Sequence, residues 1–272
     1  MIDFTRKDRY AYEDLVLLVR LLRGPGGCPW DREQTHESVL RNFQEETYEF
    51  CEAAMADDRD HMCEELGDVL MQVVFHACIE EERGRMTMED VCDAVCKKLV
   101  FRHPHVFGAV KCRDSAEVLT TWDQVKRVEK GQKTVTDTLN SVAKNLPALW
   151  RGEKILHKAA KSGFCWDSVS GALAKLEEEV RELRAAVEAG CGQEEELGDA
   201  LLSLCAVASM LELDPEQALH RACEKFIARF ALVEQSAGEQ DLAALTKAKL
   251  EELWTLAKLR LRTVQNKTKE KT

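Results

Sequence analysis

Hydrophobic residues recur three and four residues apart along most of the chain, which is the spacing of an amphipathic helix. The segments with this pattern are residues 10–23, 38–55, 60–82, 88–101, 138–161, 169–189 and 193–211. A further helix is expected to begin at Asp214-Pro215, since aspartate is a favoured N-cap and proline a favoured first residue. Only 5 prolines and 14 glycines interrupt these runs. The pattern predicts an all-α protein built from helical bundles.

Three polar features occur twice in the same order. The repeated features are Trp30-Asp31 with Trp166-Asp167, Glu45-Glu46-x-x-Glu49 with Glu178-Glu179-x-x-Glu182, and Glu65-x-x-Asp68 with Glu196-x-x-Asp199. One acidic pair recurs easily by chance in a chain with 49 acidic residues, but an ordered set does not. We therefore predict two tandem helical-bundle domains, 1–110 and 138–272. The polar residues 111–137 are predicted to connect them, with a helix around 116–128.

The repeated acids form pairs that share one face of a helix. Residues three apart are neighbours on a helix surface, so Glu46 points with Glu49, and Glu65 points with Asp68. The turn between these helices is short, so they are expected to pack antiparallel with the two pairs facing each other. Four clustered carboxylates repel strongly unless a cation lies among them. Oxygen-only ligands suit Mg²⁺ or Mn²⁺, which predicts a metal site in each half.

Two observations bear on this interpretation. An acidic helix face is more often simply solvated, but these acids lie beside apolar residues and the whole arrangement is repeated. Gly67 and Gly198 each stand inside a predicted helix, at a cost of about 1 kcal/mol relative to alanine. A compensating gain is expected there, such as the close approach of a neighbouring helix or of a ligand.

The net charge and the composition limit the classes of molecule that the protein is expected to bind. The net charge of −11 opposes binding of a nucleic acid polymer, whereas a small nucleotide can bind if a divalent cation bridges the like charges. The 11 cysteines include no CxxC pair, and residues 1–10 lack an apolar segment. No apolar run approaches the roughly 20 residues that cross a bilayer. We expect reduced thiols, a cytoplasmic location and no membrane contact.

Several longer motifs together resemble one known family. GGCPWDREQTHESV, EETYEF, EELGDVLMQVVFHA and RHPHVFG are similar to segments of the MazG family of nucleoside triphosphate pyrophosphohydrolases, over nearly the whole chain. The resemblance implies an all-α, Mg²⁺-dependent enzyme, usually a homodimer. Such an enzyme converts a nucleoside triphosphate and water to the monophosphate and pyrophosphate, with a broad substrate range suited to clearing the nucleotide pool.

The resemblance also implies roles for individual residues. The metal ligands would be Glu179, Glu182, Glu196 and Asp199 in the second half, matched by Glu46, Glu49, Glu65 and Asp68 in the first. Glu178 and Glu45 would orient the attacking water as general bases. Nucleotide contacts would fall on Lys175, Lys225, Arg229 and Trp254. The chain departs from the family pattern at Cys223, Ala228 and Gly192, where an asparagine, a basic residue and a lysine are common.

Some alternatives stay open at the level of sequence. Trp254 could stack on a base or simply pack, and RHPHVFG could cap a helix or border a nucleotide pocket. A zinc site could be drawn from Cys92, Cys96, His103 and His105, although cysteines on an apolar helix commonly just pack. His76 is expected to be a hydrogen-bonded core residue. The alternative to an enzyme is a non-catalytic protein that senses nucleotides.

Overall fold

The computed structural model describes residues 4–269 except residue 112. The side chains of residues 115, 116, 119, 120, 123, 124 and 262–269 lie outside this description. Thirteen α-helices and one 3-10 helix, with no strand, make up the secondary structure of the described part. The all-α prediction is confirmed.

The chain forms two compact units, residues 1–126 and 127–272. The helices that begin in the first unit are α1 (Tyr12–Arg23), α2 (Pro29–Glu33), α3 (His36–Met55), α4 (Arg59–Glu82), α5 (Met88–Arg102), α6 (Pro104–Phe107) and α7 (Ser115–Glu129). The boundary between the units thus falls near the end of α7, inside the segment for which the sequence predicts a connector.

The second unit continues the helical pattern. Its elements are α8 (Val135–Asn140), α9 (Ala148–Ala160), α10 (Val169–Ala189), α11 (Gln193–Met210), α12 (Pro215–Ala237), a 3-10 helix (Leu242–Ala244) and α13 (Lys247–Lys269). A continuous helix over 138–161 was a wrong prediction, because a turn separates α8 from α9 and Pro147, the N-cap of α9, has non-helical backbone angles and lacks the N–H that a helix interior needs. None of the described helices combines the length and the apolar character that a bilayer crossing requires.

Local capping explains where several helices begin and end. The Thr87 side chain accepts a hydrogen bond from the N–H of Asp90, and that of Asp214 accepts one from the N–H of Gln217. Gly84 follows α4 with φ 66°, and Gly190 ends α10 with φ 76°, a left-handed conformation in which glycine is not strained.

The core of the first unit is organised around α4. Val74, Phe75, Cys78 and Ile79 from α4 are buried against residues of α1, α3 and α5. Arg23 fastens the end of α1 to the end of α4: its guanidinium donates to both oxygens of Glu82 at 2.7 and 2.9 Å and lies 4.8 Å from the Phe75 ring centroid.

A polar network joins the start of α3 to the same end of α4. The His36 ring nitrogens lie 2.7 Å from Nδ1 of His76 and 2.7 Å from Oε1 of Glu80. Glu80 also accepts hydrogen bonds from Arg83 and Arg85. These partners, His36 foremost and then Arg85, lower the pKa of Glu80 to about 2. His76 is therefore hydrogen-bonded, as predicted, but it is half-buried and not part of the core.

The second unit repeats this plan with α11 in the position of α4. Helix α11 packs on α9 and α10, and a Cβ atom added at Gly152 in α9 would lie only 3.4 Å from Sγ of Cys205. The glycine thereby lets α9 approach α11 closely. Val233, Ala237, Leu253 and Ala257 form a separate buried cluster that holds α12 against α13.

Candidate active sites

In the first unit, α3 and α4 bring three predicted metal ligands together. Oxygen atoms of Glu46, Glu49 and Glu65 all lie within 4.8 Å of one another. Burial, followed by the charges of Asp68, Glu49 and Glu65, raises the pKa of Glu46 above its ordinary value. Asp68 stands outside the close group, but its charge contributes to the raised pKa of Glu46. The four acids therefore form one electrostatically coupled cluster.

Glu65 is the most buried member of this cluster, with 6% of its surface exposed. Its Oε1 lies 2.9 Å from Nε2 of His61, one turn earlier on α4. Its Oε2 is buried and has no hydrogen-bond partner among the described residues. A buried carboxylate oxygen without a partner is costly, so this atom is available as a ligand.

In the second unit, α10 and α11 form the equivalent cluster. Oxygen atoms of Glu179, Glu196 and Asp199 lie within 4.8 Å of one another, and Glu179 is 6% exposed. Burial and then the charge of Glu179 raise the pKa of Glu182, which lies one turn after Glu179 on α10. Every acid predicted as a ligand is therefore at or beside one of the two clusters.

The two clusters differ in the basic side chain that contacts the buried glutamate. In the second unit Nζ of Lys175 lies 2.8 Å from Glu179 and 2.7 Å from Glu178, so the cation is on α10. In the first unit His61 is on α4, the opposite helix of the pair. Sequence analysis identified Lys175 but missed His61, although its spacing four residues before Glu65 was the available signal.

The donor sets fit a hard divalent cation. Each cluster offers only carboxylate oxygens, the ligands that Mg²⁺ and Mn²⁺ prefer. The buried Glu65 and Glu179 and the unpartnered Oε2 of Glu65 distinguish these clusters from an exposed, solvated acidic face. Glu46, Glu49, Glu65 and Asp68 would hold the ion in the first unit, and Glu179, Glu182, Glu196 and Asp199 in the second.

The two residues predicted as general bases are each paired with a neighbouring cation. Glu178 accepts a hydrogen bond from Lys175, which lowers the pKa of Glu178. Glu45 accepts one from Nε of Arg41 at 3.0 Å. Both carboxylates are exposed and immediately precede the first acid of their cluster. Each is thus reachable by a water molecule at the edge of its site.

The predicted nucleotide contacts of the second unit form a separate group on α12 and α13. The Arg229 guanidinium lies 6.0 Å from the Trp254 ring centroid, and the Phe226 ring lies 5.0 Å from it. Nε of Arg229 is buried without a hydrogen-bond partner among the described residues. Lys225 is exposed one turn before Arg229. Arg229 and Trp254 are thus brought together, while Lys175 lies at the acids.

The glycines inside α4 and α11 border open space. No atom of the described residues comes within 4 Å of a Cβ placed on Gly67 or Gly198, leaving aside their own neighbours in the helix. The close approach of a neighbouring helix within this chain was therefore a wrong expectation. Space left for a ligand remains the other explanation.

The cysteine and histidine residues considered for zinc are not gathered into a site. Cys92 and Cys96 are exposed on α5, and Cys92 lies 3.9 Å from the hydroxyl of Tyr12. His103 is hydrogen-bonded to the carbonyl of Leu99. Within the described residues, the groups of three or more potential ligands are the two acidic clusters.

Comparison with known proteins assigns the chain to a family. The model of the MazG nucleotide pyrophosphohydrolase domain matches it twice, at residues 34–107 and 168–233. The chain belongs to the MazG family. Both MazG matches include a complete acid set, and the second includes Lys225 and Arg229, whereas Trp254 lies beyond its end.

Several curated proteins are similar to the chain over about nine-tenths of its length. The chain is 42% identical, over 91% of its length and 95% of the relative's, to the nucleoside triphosphate pyrophosphohydrolase/pyrophosphatase MazG of Thermotoga maritima. It is 39% identical, over 90% of its length and 95% of the relative's, to the nucleoside triphosphate pyrophosphohydrolase of Escherichia coli K12. An uncharacterized protein of Bacillus subtilis, YabN, is 43% identical over 89% of this chain and half of its own length.

Proposed function

We propose that this MazG-family chain hydrolyses nucleoside triphosphates to nucleoside monophosphates and pyrophosphate, with Mg²⁺ bound at its acidic clusters. The single observation that carries the proposal is the duplicated set of coupled carboxylates, each with one deeply buried glutamate. The names of the Thermotoga and Escherichia relatives describe the same reaction. Mn²⁺ is the expected substitute, because the ligands are all oxygen atoms.

The ion and the protein side chains would contribute different parts of the reaction. When bound, Mg²⁺ would neutralise phosphate charge and make water more acidic. Glu178, or Glu45 in the first unit, accepts a proton from the water as it attacks, and the bond between the α- and β-phosphates breaks. The hydrogen bond from Lys175 lowers the pKa of Glu178, so this carboxylate stays ionised and can accept a hydrogen bond from the water, although the lower pKa also makes it a weaker base.

Basic residues and one aromatic ring would hold the substrate. Lys175, Lys225 and Arg229 offset the charge that develops on the leaving pyrophosphate. The buried and unpartnered Nε of Arg229 supports a ligand at this position. Trp254 stacks on the base, and since every base has a π-face this contact accepts many bases. The reaction thereby suits broad clearance of unwanted nucleotides.

The chain is expected to act as a homodimer in the cytoplasm. Leu173, Val180 and Val187, spaced seven residues apart on α10, are exposed, as are Leu197, Leu201 and Leu204 on α11. Such apolar stripes usually mark an interface, and two-fold pairing is the commonest way to cover them. The described cysteines are free thiols, which suits a reducing compartment.

The test is a product assay on a panel of nucleoside triphosphates with Mg²⁺. Pyrophosphate and monophosphate should form in equal amounts. The double variant Glu179→Gln/Asp199→Asn, its counterpart Glu46→Gln/Asp68→Asn and their combination separate the two units. The combination should lose on the order of 10²-fold or more in turnover, the scale seen when a group that stabilises transition-state charge is removed.

Controls distinguish this reaction from its alternatives. Glu188→Gln changes an exposed acid on α10 away from the cluster and should leave turnover unchanged. Pyrophosphate alone belongs in the panel, because the Thermotoga relative is also named a pyrophosphatase. Release of orthophosphate from the triphosphate would indicate an ordinary phosphatase. Tight binding of Mg²⁺ and nucleotide without any product would identify a sensor and refute the enzyme.

A further inference from the structure

Trp122 on α7 has a cation on its ring from each of two helices. The guanidinium carbon of Arg102, at the end of α5, lies 5.7 Å from the ring centroid. Nζ of Lys126, one turn later on α7, lies 4.8 Å from it. Arginine over an indole ring is a favourable cation–π contact, and here it connects α5 to α7 within the first unit.

The second unit contains the same arrangement. Trp254 has Arg229 of α12 at 6.0 Å and Lys258, one turn later on α13, at 5.9 Å. Helix α12 packs on α11, which carries the acids, just as α5 packs on α4. The Arg102 cluster therefore occupies the position in the first unit that the Arg229 cluster occupies in the second.

The sequences around the two arginines also correspond. CKKLVFR (Cys96–Arg102) aligns with CEKFIAR (Cys223–Arg229), which matches Lys98 to Lys225 without a gap. Lys98 and Arg102 are four residues apart on α5, so they lie on one face of that helix. The first unit thus carries a counterpart of each residue predicted to contact nucleotide on α12 and α13.

A third tryptophan, Trp150, shows which of the contacts at Trp122 and Trp254 is not simply a local contact along one helix. Trp150 on α9 has Lys154 over its ring at 5.0 Å, again one turn later on the same helix. The described cation–π contacts bring no arginine to Trp150. A lysine four residues after a tryptophan is therefore an ordinary local contact. The arginine contributed by the helix that follows the acidic pair is what Trp122 and Trp254 share.

We propose that Trp122, Arg102 and Lys98 form a nucleotide subsite of the first unit, so that one chain binds two nucleotides. The indole ring stacks on the base, which displaces the Lys126 side chain from the ring, and Arg102 and Lys98 bind the phosphates. Nδ1 of His105, three residues after Arg102 in RHPHVFG, is buried without a hydrogen-bond partner among the described residues. This inference rests on the proposed function, which places a nucleotide against Trp254.

The test counts binding sites on the full-length protein by isothermal titration calorimetry. The probe is a nucleoside triphosphate analogue with a methylene group between the α- and β-phosphorus atoms, added with Mg²⁺. Wild type should bind two equivalents per chain. Trp122→Ala should weaken one equivalent on the order of tenfold, the scale of base–aromatic stacking, and Trp254→Ala should weaken the other. Trp150→Ala is the matched control and should bind like wild type.

The outcomes separate this inference from the proposed function. A single site that Trp254→Ala weakens and Trp122→Ala leaves unchanged would overturn the first-unit subsite alone. An absence of Mg²⁺-dependent binding in wild type would overturn both. Two further variants exclude a merely structural role. Trp122→Phe, which keeps a ring, should restore most of the affinity, and Arg102→Gln should weaken the same equivalent; an unchanged titration of Arg102→Gln would also contradict the subsite.

Discussion

At the scale of single residues, each site is defined by one buried glutamate and one basic side chain beside it. Glu65 pairs with His61, and Glu179 pairs with Lys175. A buried carboxylate needs a partner that donates a hydrogen bond or carries charge, and a side chain of the protein supplies one at each site. Because Lys175 touches the acids directly, it neutralises the charge that would attract an ion.

Lys175→Met is expected to strengthen the binding of Mg²⁺ and to weaken the binding of nucleotide. The ammonium group competes with an ion for Glu179, so binding of Mg²⁺ alone should become tighter. The same group is proposed to contact phosphate, so KM for the triphosphate should rise about tenfold, the effect of roughly 1.4 kcal/mol. Calorimetry with Mg²⁺ and steady-state kinetics measure the two quantities. A parallel loss of both affinities would instead indicate that Lys175 only orders α10.

Glu46→Gln is expected to raise the Tm of the metal-free protein. It is also expected to reduce the increase in Tm that Mg²⁺ causes. The raised pKa of Glu46 means that the folded state binds a proton more readily than the unfolded chain. Ionised Glu46 therefore opposes folding above that pKa, and the penalty decreases as pH falls. In EDTA at pH 7 the variant's Tm should exceed that of wild type by a few degrees. Added Mg²⁺ should raise the Tm of wild type more than that of the variant, because it binds the folded state.

The control for this prediction is Glu52→Gln, which changes an exposed acid on the same helix. Its Tm should follow wild type with and without Mg²⁺ in thermal denaturation monitored by circular dichroism. A lower Tm of Glu46→Gln in EDTA would show that the carboxylates do not repel each other in the folded protein.

At the scale of helices, the spacing of acids on α3, α4, α10 and α11 predicted both clusters from sequence. Helical periodicity fixes which residues share a face, so neighbouring acids could be grouped without a structure. Contacts between helices were harder to predict. Arg102 and Trp122 lie on different helices, and only tertiary packing brings them together. The break between α8 and α9 was missed because apolar spacing continues across the turn before Pro147.

Glu80→Gln is expected to loosen the joint between α3 and α4 in a pH-dependent way. The ordinary carboxyl pKa of 4.5 is lowered to about 2 here. The ionised group therefore stabilises the fold above about pH 4.5, and this contribution is lost as pH falls towards 2. The variant should melt at a lower temperature than wild type at pH 7, with a difference that shrinks below pH 4.5. Glu64→Gln, at an exposed position of α4, should match wild type throughout.

At the scale of the whole molecule, the exposed stripes on α10 and α11 predict self-association. Val180→Glu places a charge in the middle of the α10 stripe and should shift the protein from dimer to monomer in sedimentation velocity. Val128→Glu alters an even more exposed valine outside the stripe and should leave the dimer intact. A monomeric wild type would remove this interface, while the acid clusters would keep their ligands within one chain.

The division into two compact units also affects how the protein tolerates mutation during evolution. Each unit builds its acid cluster from two of its own helices, so a mutation that destroys one cluster leaves every carboxylate of the other in place. Such a chain carries one intact acid cluster and one damaged cluster in the same polypeptide. Selection can therefore act on either half separately, and each half is free to acquire its own preferred nucleotides.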